Sequence, residues 1–377
     1  MKNKVLYISH SSFIGGAERS MMYMAMSNPE SLLLTPKFAF KNCPIFELYK
    51  KNNINYETLT IPALFYHQYG KITIAKLIYF FLFLPNLFKL FKYIRKGYNI
   101  LHFNEVVFAP TIWILKVFFG KRLKIVVHIR TRLPKNKFGL WRKLFIFWLK
   151  KSDYIITIGK KESEPFNDFQ NQKMLINPIS YEDYIPLFNK TNYLINSFKI
   201  ANKKIIVGIF GSMHNAKGQS FVIDYLLNSS IDNRLVFIFF GEGPLLKTLK
   251  NKVIQNNLKT QIIFANQVNN VLECMEGCDF IIRAEIYGYF GRDILEANSL
   301  GVPILTSKCK ENIYEHLLEE GVNGYSFIPL DYNSFTNKLN KILINFKEIR
   351  GNSVKLKKGF ILSGEYYKEL EKIYEQL

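Results

Sequence analysis

The sequence predicts an α/β protein made of two doubly wound, parallel-sheet domains, and three observations carry that expectation. The chain has 377 residues, and a single hydrophobic core seldom grows beyond about 250 to 300 residues. From residue 203 onward, short unbroken apolar runs alternate with helical patterns, the order that a parallel sheet with crossover helices requires. The first apolar run, KVLYIS, passes directly into a glycine turn and a helical stretch, the same unit that recurs later. A hydrophobic fraction of 48% fits a globular chain.

The elements follow in order. After KVLYIS comes HSSFIGGAERSMMYMAM, a loop that closes on Gly15 and Gly16 before a helix. Two glycines there either let the backbone approach another group closely or simply close a tight turn. The spacing is not GxGxxG, so a dinucleotide fingerprint is not supported. Between Lys71 and Gly97 the apolar run Leu77 to Leu84 stops at Pro85 and Asn86, and Lys89, Lys92, Arg95 and Lys96 follow at helical spacing. A spanning helix needs about 20 apolar residues, so the expected element is an interfacial helix against anionic lipid, the alternative being a core helix with snorkelling lysines. Residues 138–151, FGLWRKLFIFWLKK, repeat the composition with Trp141 and Trp148. Between them, NILHFNE places His102, Asn104 and Glu105 after one apolar run, and KIVVHIRTR places His128, Arg130 and Arg132 after another. Open parallel sheets bind ligands outside the carboxyl ends of their strands. His102, Glu105 and Arg130 are therefore candidates for an acceptor side, with structural histidines as the other reading.

The second half opens with KKIIVGIFGSMHNAKGQSF, a strand, a glycine turn and a helix led by Lys217 and Gly218. Turn N–H groups plus a lysine suit a diphosphate. LVFIFFGEGPLLKTL repeats the plan, with Gly241 and Gly243 admitting close backbone approach and Pro244 at a helix start. QIIFANQVNNVLECMEGCDFIIRAE adds a strand, a helix and a strand. EIYGYFGRDILEANSLGVPIL, from Glu285 to Leu305, then gives a turn through Phe290 and Gly291, a helix carrying Arg292, Asp293 and Glu296, and a buried strand. Gly291 leaves the helix start open, so its N–H groups and dipole suit a phosphate. Glu296 is placed to accept hydrogen bonds from vicinal hydroxyls, or to be a solvated helix acid. Gly364 to Leu377 reads as a polar amphipathic helix.

The formal charge of +21 is uneven. Residues 1–190 hold 29 Lys and Arg against 11 Asp and Glu, leaving 22 against 19 for the remainder. Lys71 to Lys151 contains 18 basic residues and one acid, Glu105, interleaved with aromatics. Nucleic acid is one partner for such a balance and an anionic membrane is the other; the aromatic interleaving favours the membrane. Four cysteines, Cys43, Cys274, Cys278 and Cys309, make neither a zinc nor a disulfide pattern, which points to a reducing compartment. The opening residues do not read as a signal peptide.

The run FGRDILEANSLGVPI resembles the donor-site signature of retaining glycosyltransferases of family 4, a GT-B group that uses nucleotide-activated sugars. The family signature has two glutamates separated by seven residues. Glu296 matches the second, while the first falls on Gly288, and the nearest acid upstream, Glu285, is a possible sugar contact. Gly15 and Gly16 within GGAE match the family's first turn, and His128 matches a histidine that lies near the transferred sugar. Lys217 matches the family lysine, and Ser212 stands where the family has an arginine, a charge that Arg292 could supply. The resemblance implies a GT-B fold of two Rossmann-like domains facing a cleft. Residues 1–187 would face acceptor and membrane, 188–360 would bind the nucleotide sugar, and 361–377 would cross back to the first domain. It assigns His128, Lys217 and Arg292 to catalysis, and the donor to Gly15, Gly16, Ser212, Lys217, Gly241, Gly243, Phe290, Gly291, Arg292 and Glu296. The expected activity is glycosyl transfer, with retention, from a nucleotide-diphosphate sugar to a lipid-linked or membrane-proximal glycan in cell-surface polysaccharide synthesis. The expected place is the cytoplasmic face of the membrane, with no cofactor, no metal and no nucleic acid. The other readings are a nucleic-acid-binding α/β protein and a degenerate relative that binds without turnover.

Overall fold

The computed structural model describes residues 4–10, 16–36, 44–59, 84–131, 133, 139–178, 191–201, 203–230, 232–258, 261–268, 270–287, 292–309, 317–353 and 363–377. The chain divides into two compact units, Met1–Pro178 with Ile361–Leu377, and Ile179–Phe360. Gly15, Phe80, Phe81, Phe83, Arg132, Gly288, Phe290, Gly291 and Cys43 lie outside the described residues.

In the first unit β1 (Val5–Ser9), α1 (Gly16–Ser27), β2 (Leu32–Pro36), α2 (Pro44–Lys51) and β3 (Tyr56–Leu59) come first. They are followed by α3 (Leu84–Arg95), β4 (Ile100–Asn104), a 3-10 turn (Val106–Phe108), α4 (Ala109–Phe119) and β5 (Lys124–Ile129). Next come α5 (Gly139–Leu149), β6 (Tyr154–Thr157), α6 (Lys160–Ser163) and β7 (Gln172–Met174). The seven strands pair in parallel in the order β3-β2-β1-β4-β5-β6-β7. Order reverses between β1 and β4, which makes that the switch point. Pro85 falls in the first turn of α3, where its missing N–H costs nothing.

The second unit has α7 (Thr191–Phe198), β8 (Ile205–Phe210), α8 (Gln219–Asn228), β9 (Leu235–Phe240), α9 (Leu246–Gln255), β10 (Ile262–Asn266) and α10 (Val271–Glu276). It continues with β11 (Phe280–Arg283), α11 (Arg292–Leu300), β12 (Ile304–Ser307), β13 (Gly324–Phe327) and α12 (Tyr332–Ser353). Its six parallel strands run β10-β9-β8-β11-β12-β13, with the switch between β8 and β11. Both sheets are doubly wound, as the alternation of apolar runs and helical patterns predicts. A final helix, α13 (Ser363–Glu375), belongs to the first unit.

Strands buried on both faces divide the first core in two, because successive side chains point to opposite sides. Leu6, Ile8, Leu101, Phe103, Ile125 and Val127 join the side packed by α3, α4 and α5. Val5, Tyr7, Ile100 and Val126 join the side packed by α1, α2 and α13, which brings Tyr366, Leu370, Ile373 and Tyr374. Among the described residues no helix is long and apolar enough to cross a membrane.

Candidate functional site

In the second unit the loops after β8, β9 and β11 interlock at the switch point, where open sheets place their ligands. Gly218, at φ +69°, starts α8 so tightly that a Cβ would lie 1.9 Å from the carbonyl oxygen of Ala284 after β11. A Cβ on Gly241 would meet the Gly211 carbonyl at 2.2 Å, and one on Gly243 the Met213 carbonyl at 2.4 Å. The close approach expected at these two glycines is therefore taken up by the protein's own turn. Met213 N–H donates to the Glu242 carbonyl at 2.8 Å, and Ile286 N–H to that of Ala216 at 3.0 Å. Ser212 is exposed on this platform.

Ionic side chains converge on the same place. Lys217 Nζ donates to Glu285 Oε2 at 2.8 Å, and Arg283 Nη2 lies 3.5 Å from that oxygen. Arg283 Nε donates to both oxygens of Asp293, each at 3.0 Å. Arg292 Nε donates to Glu296 Oε1 at 3.1 Å, one turn along α11. The Glu285 carbonyl accepts from Ser307 Oγ and from Cys309 Sγ. These contacts bear on three expectations. Glu285 has a fully buried side chain and is an ion-pair partner of Lys217 rather than an open sugar contact. Glu296 is buried against Arg292, not solvated. Arg292, expected to supply the charge that Ser212 lacks, is paired with that carboxylate. His214 beside Lys217 is held below the usual imidazole range, by burial first and by the lysine second.

In the first unit the expected acceptor residues are inside the fold. His102 and His128 are fully buried. Both lie on central strands, on the side covered by α1 and α13. The His102 Nδ1 is 2.6 Å from the Tyr374 hydroxyl, and the His128 Nδ1 is 3.5 Å from that of Tyr366. Their Nε2 atoms have no hydrogen-bond partner among the described residues. Burial holds His102 down to about 3 and His128 well below the ordinary value, with Arg130 adding to both shifts. Both rings are thus neutral near pH 7 and closed to solvent, which corrects the reading of His128 and His102 as open cleft residues. Arg130 is buried too, donating to Asn104 Oδ1, to Asn177 Oδ1 and to His128 Nδ1. Glu105 accepts from Val106 N–H at 2.8 Å and from the Thr131 hydroxyl at 2.7 Å. Burial raises its carboxyl above the usual range. Its backbone, at φ 149° and ψ 159°, occupies a region costly for any residue but glycine. Gly16 is exposed at the start of α1.

Arg283 and His214 are absent from the residues singled out in the sequence, and Asp293 is named there on its helix without a role. A signal existed for Arg283, since it closes the apolar run FIIR as the other candidates close theirs. Among the described residues no group of three or more His, Cys, Asp or Glu side chains is placed to hold a metal ion. Cys274, Cys278 and Cys309 are buried thiols.

The stretch that builds the ionic cluster can be placed by comparison. Residues 192–352 match the family model of Glycosyl transferases group 1. This stretch is similar to the group 1 glycosyl transferases. An Escherichia coli UDP-Gal:alpha-D-GlcNAc-diphosphoundecaprenol alpha-1,3-galactosyltransferase is 21% identical over 54% of this chain and 54% of its own length. An O-antigen biosynthesis glycosyltransferase WclY, also from Escherichia coli, is 22% identical over 56% of this chain and 62% of its own. The chain thus aligns with little more than half the length of these relatives. The crystal structure of Anabaena Alr3699/HepE with UDP and glucose superposes with a TM-score of 0.82 at 18% identity, covering 100% of both chains. WaaG, described as a glycosyltransferase involved in lipopolysaccharide biosynthesis, gives 0.70 at 14% identity over 98% of this chain and 99% of its own. The fold is GT-B, and the group 1 stretch holds the whole Lys217–Glu296 cluster.

Proposed function

We propose that the chain is a glycosyltransferase that moves a sugar from a nucleotide-diphosphate sugar to a hydroxyl of a lipid-linked or membrane-proximal glycan. The setting is the synthesis of an O-antigen or lipopolysaccharide type of surface polysaccharide, and the configuration at the sugar carbon is retained. The observation that carries this reading is the interlocked platform of three loops around Lys217, inside the group 1 stretch. The bond from sugar C1 to the diphosphate oxygen breaks, a bond from C1 to the acceptor oxygen forms, and the acceptor proton leaves with the diphosphate. Lys217, Arg292 and the N–H groups of the β8–α8 turn and the α11 start stabilise the departing charge, the electrostatic contribution that commonly dominates such chemistry. Ser212, Gly241 and Gly243 shape the floor, Glu296 receives the ribose hydroxyls, and no cofactor is required. UDP is the first nucleotide to test, because a structural neighbour was crystallised with it.

Membrane attachment on the cytoplasmic side is part of the same proposal. The first unit exposes Phe88 on α3, Val117 and Phe118 on α4, and Leu140 and Phe147 on α5. Phe91 joins the first two helices through ring contacts of 6.0 Å to Phe118 and 5.2 Å to Phe119. Lys92, Arg95, Lys121, Arg122 and Lys143 are exposed on these helices or the turns beside them. Apolar side chains ringed by cations suit an anionic bilayer better than a phosphate backbone. The decisive test is a panel of UDP, GDP and other nucleotide sugars, read by thermal stabilisation and by sugar transfer to undecaprenol-linked acceptors. A ligand at 100 times its Kd adds about 2.7 kcal/mol of stability, and a panel without any shift would end this reading.

A further inference from the structure

We propose that a diphosphate in the second unit's site displaces Lys217 from Glu285, and that Arg283 then takes over the carboxylate. Glu285 and Arg283 become positioning residues that set how tightly the donor is held. This rests on the donor reading above.

Among the described residues the cations of the cluster each have a carboxylate. Lys217 has Glu285, Arg283 has Asp293, and Arg292 has Glu296. An incoming anion therefore meets cations that already have partners among the described residues, and it gains Lys217 by exchange. The Lys217 side chain is 23% exposed while the Glu285 side chain is 0% exposed. The lysine is on a flexible stem at the edge, and the carboxylate is inside. Ser307 and Cys309 hold the Glu285 carbonyl, and Ile286 N–H is bound to Ala216. When Lys217 turns to a phosphate, the carboxylate is left inside on this held stretch of backbone. A buried carboxylate left without a cation is strongly destabilising. Arg283 prevents that outcome, because its Nη2 already lies 3.5 Å from Glu285 Oε2 while its Nε stays with Asp293. A movement of about half an ångström gives an ordinary charge-assisted hydrogen bond. Among the described residues the charged and titratable groups around the carboxylate are His214, Lys217 and Arg283, with Asp293 paired to Arg283 and the Cys309 thiol on the Glu285 carbonyl. Glu285 thus competes with the ligand for Lys217, which loosens the diphosphate and favours its release after transfer.

The test is calorimetric titration of the full chain with UDP and with inorganic pyrophosphate. Glu285→Gln keeps the shape and removes the charge, so it binds both about fivefold to tenfold more tightly than wild type. Lys217→Met abolishes that gain when combined with it, as a double-mutant cycle requires of coupled groups. Glu285→Asp, which keeps the charge, stays within about twofold of wild type and guards against a Gln variant that does not fold. A wild type that binds and a folded Gln variant that binds no more tightly would overturn the exchange alone. Weaker binding of UDP-sugar but not of UDP in the Gln variant overturns it in favour of a sugar contact. A wild type that binds neither ligand overturns both the exchange and the donor reading.

Discussion

At the scale of the residue, Glu296 pairs with Arg292, and in the proposed donor site the same carboxylate also receives the ribose hydroxyls. In Glu296→Ala the affinity for UDP falls by about 1.5 to 3 kcal/mol, the worth of hydrogen bonds to a charged acceptor, as measured by calorimetry. Unchanged affinity in a folded variant would leave only the ion pair. His102 makes a different prediction, through pH. Its folded value of about 3 is below the ordinary 6.5, so between those values the unfolded chain binds a proton that the folded chain refuses. Stability is therefore full above pH 6.5 and is lost as pH falls toward 3. From pH 7 to pH 5 that loss amounts to about 2 kcal/mol for this ring. In His102→Phe the difference in urea stability between the two pH values shrinks by that amount. The sequence showed that polar residues close the apolar runs, but not where each strand ends. β4 runs two residues past His102 to Asn104 and β5 one past His128 to Ile129. That small extension turns expected mouth residues into core residues. Arg283 was legible by the same rule and Asp293 by its helix, yet their pairing joins a strand end to a helix start that no local pattern connects.

At the scale of the element, α13 was legible as an amphipathic helix, with Tyr366, Leu370, Ile373 and Tyr374 along one stripe. The face it covers was not, because its partners Tyr7 and His102 are more than 260 residues earlier. Leu370 is buried in that seam, so Leu370→Ala lowers stability by about 2 to 5 kcal/mol in denaturant unfolding. A smaller loss would mean that α13 packs loosely. α4 escaped the sequence reading, because APTIWILKVFF is apolar on nearly every side and has no periodicity to read. It nevertheless supplies Phe118, 71% exposed, to the face expected from its neighbours. α3 is also only partly what its charges suggested: Lys89 donates to the Thr58 carbonyl at 2.6 Å and pairs with Glu57 at 3.2 Å. Lys92, Arg95 and Lys96 are exposed and are the cations left to the proposed lipid face.

At the scale of the molecule, the excess charge of +18 over residues 1–190 sits in the part that carries the exposed aromatic face. Binding to vesicles that contain anionic lipid should weaken sharply between 0.1 M and 1 M salt, as the screening length falls from about 10 Å to about 3 Å. Flotation of Phe88→Ser/Phe118→Ser should then lose the fraction that survives high salt, while Lys92, Arg95 and Lys96 replaced by Gln lose the salt-sensitive fraction. A wild type that ignores such vesicles and binds DNA would reverse the assignment of this face. The discontinuity of the first unit has a consequence in time. Its strands leave the ribosome first, but α13 emerges only after the roughly 180 residues of the second unit. At about 5 to 20 residues per second the wait is on the order of 10 to 40 s. Through that interval Tyr7, His102 and Val126 lack the part of their cover that α13 supplies, whereas the second unit can close as soon as it is made. A nascent chain stalled before residue 361 should therefore recruit chaperones through its earlier half, and release them once the helix is translated.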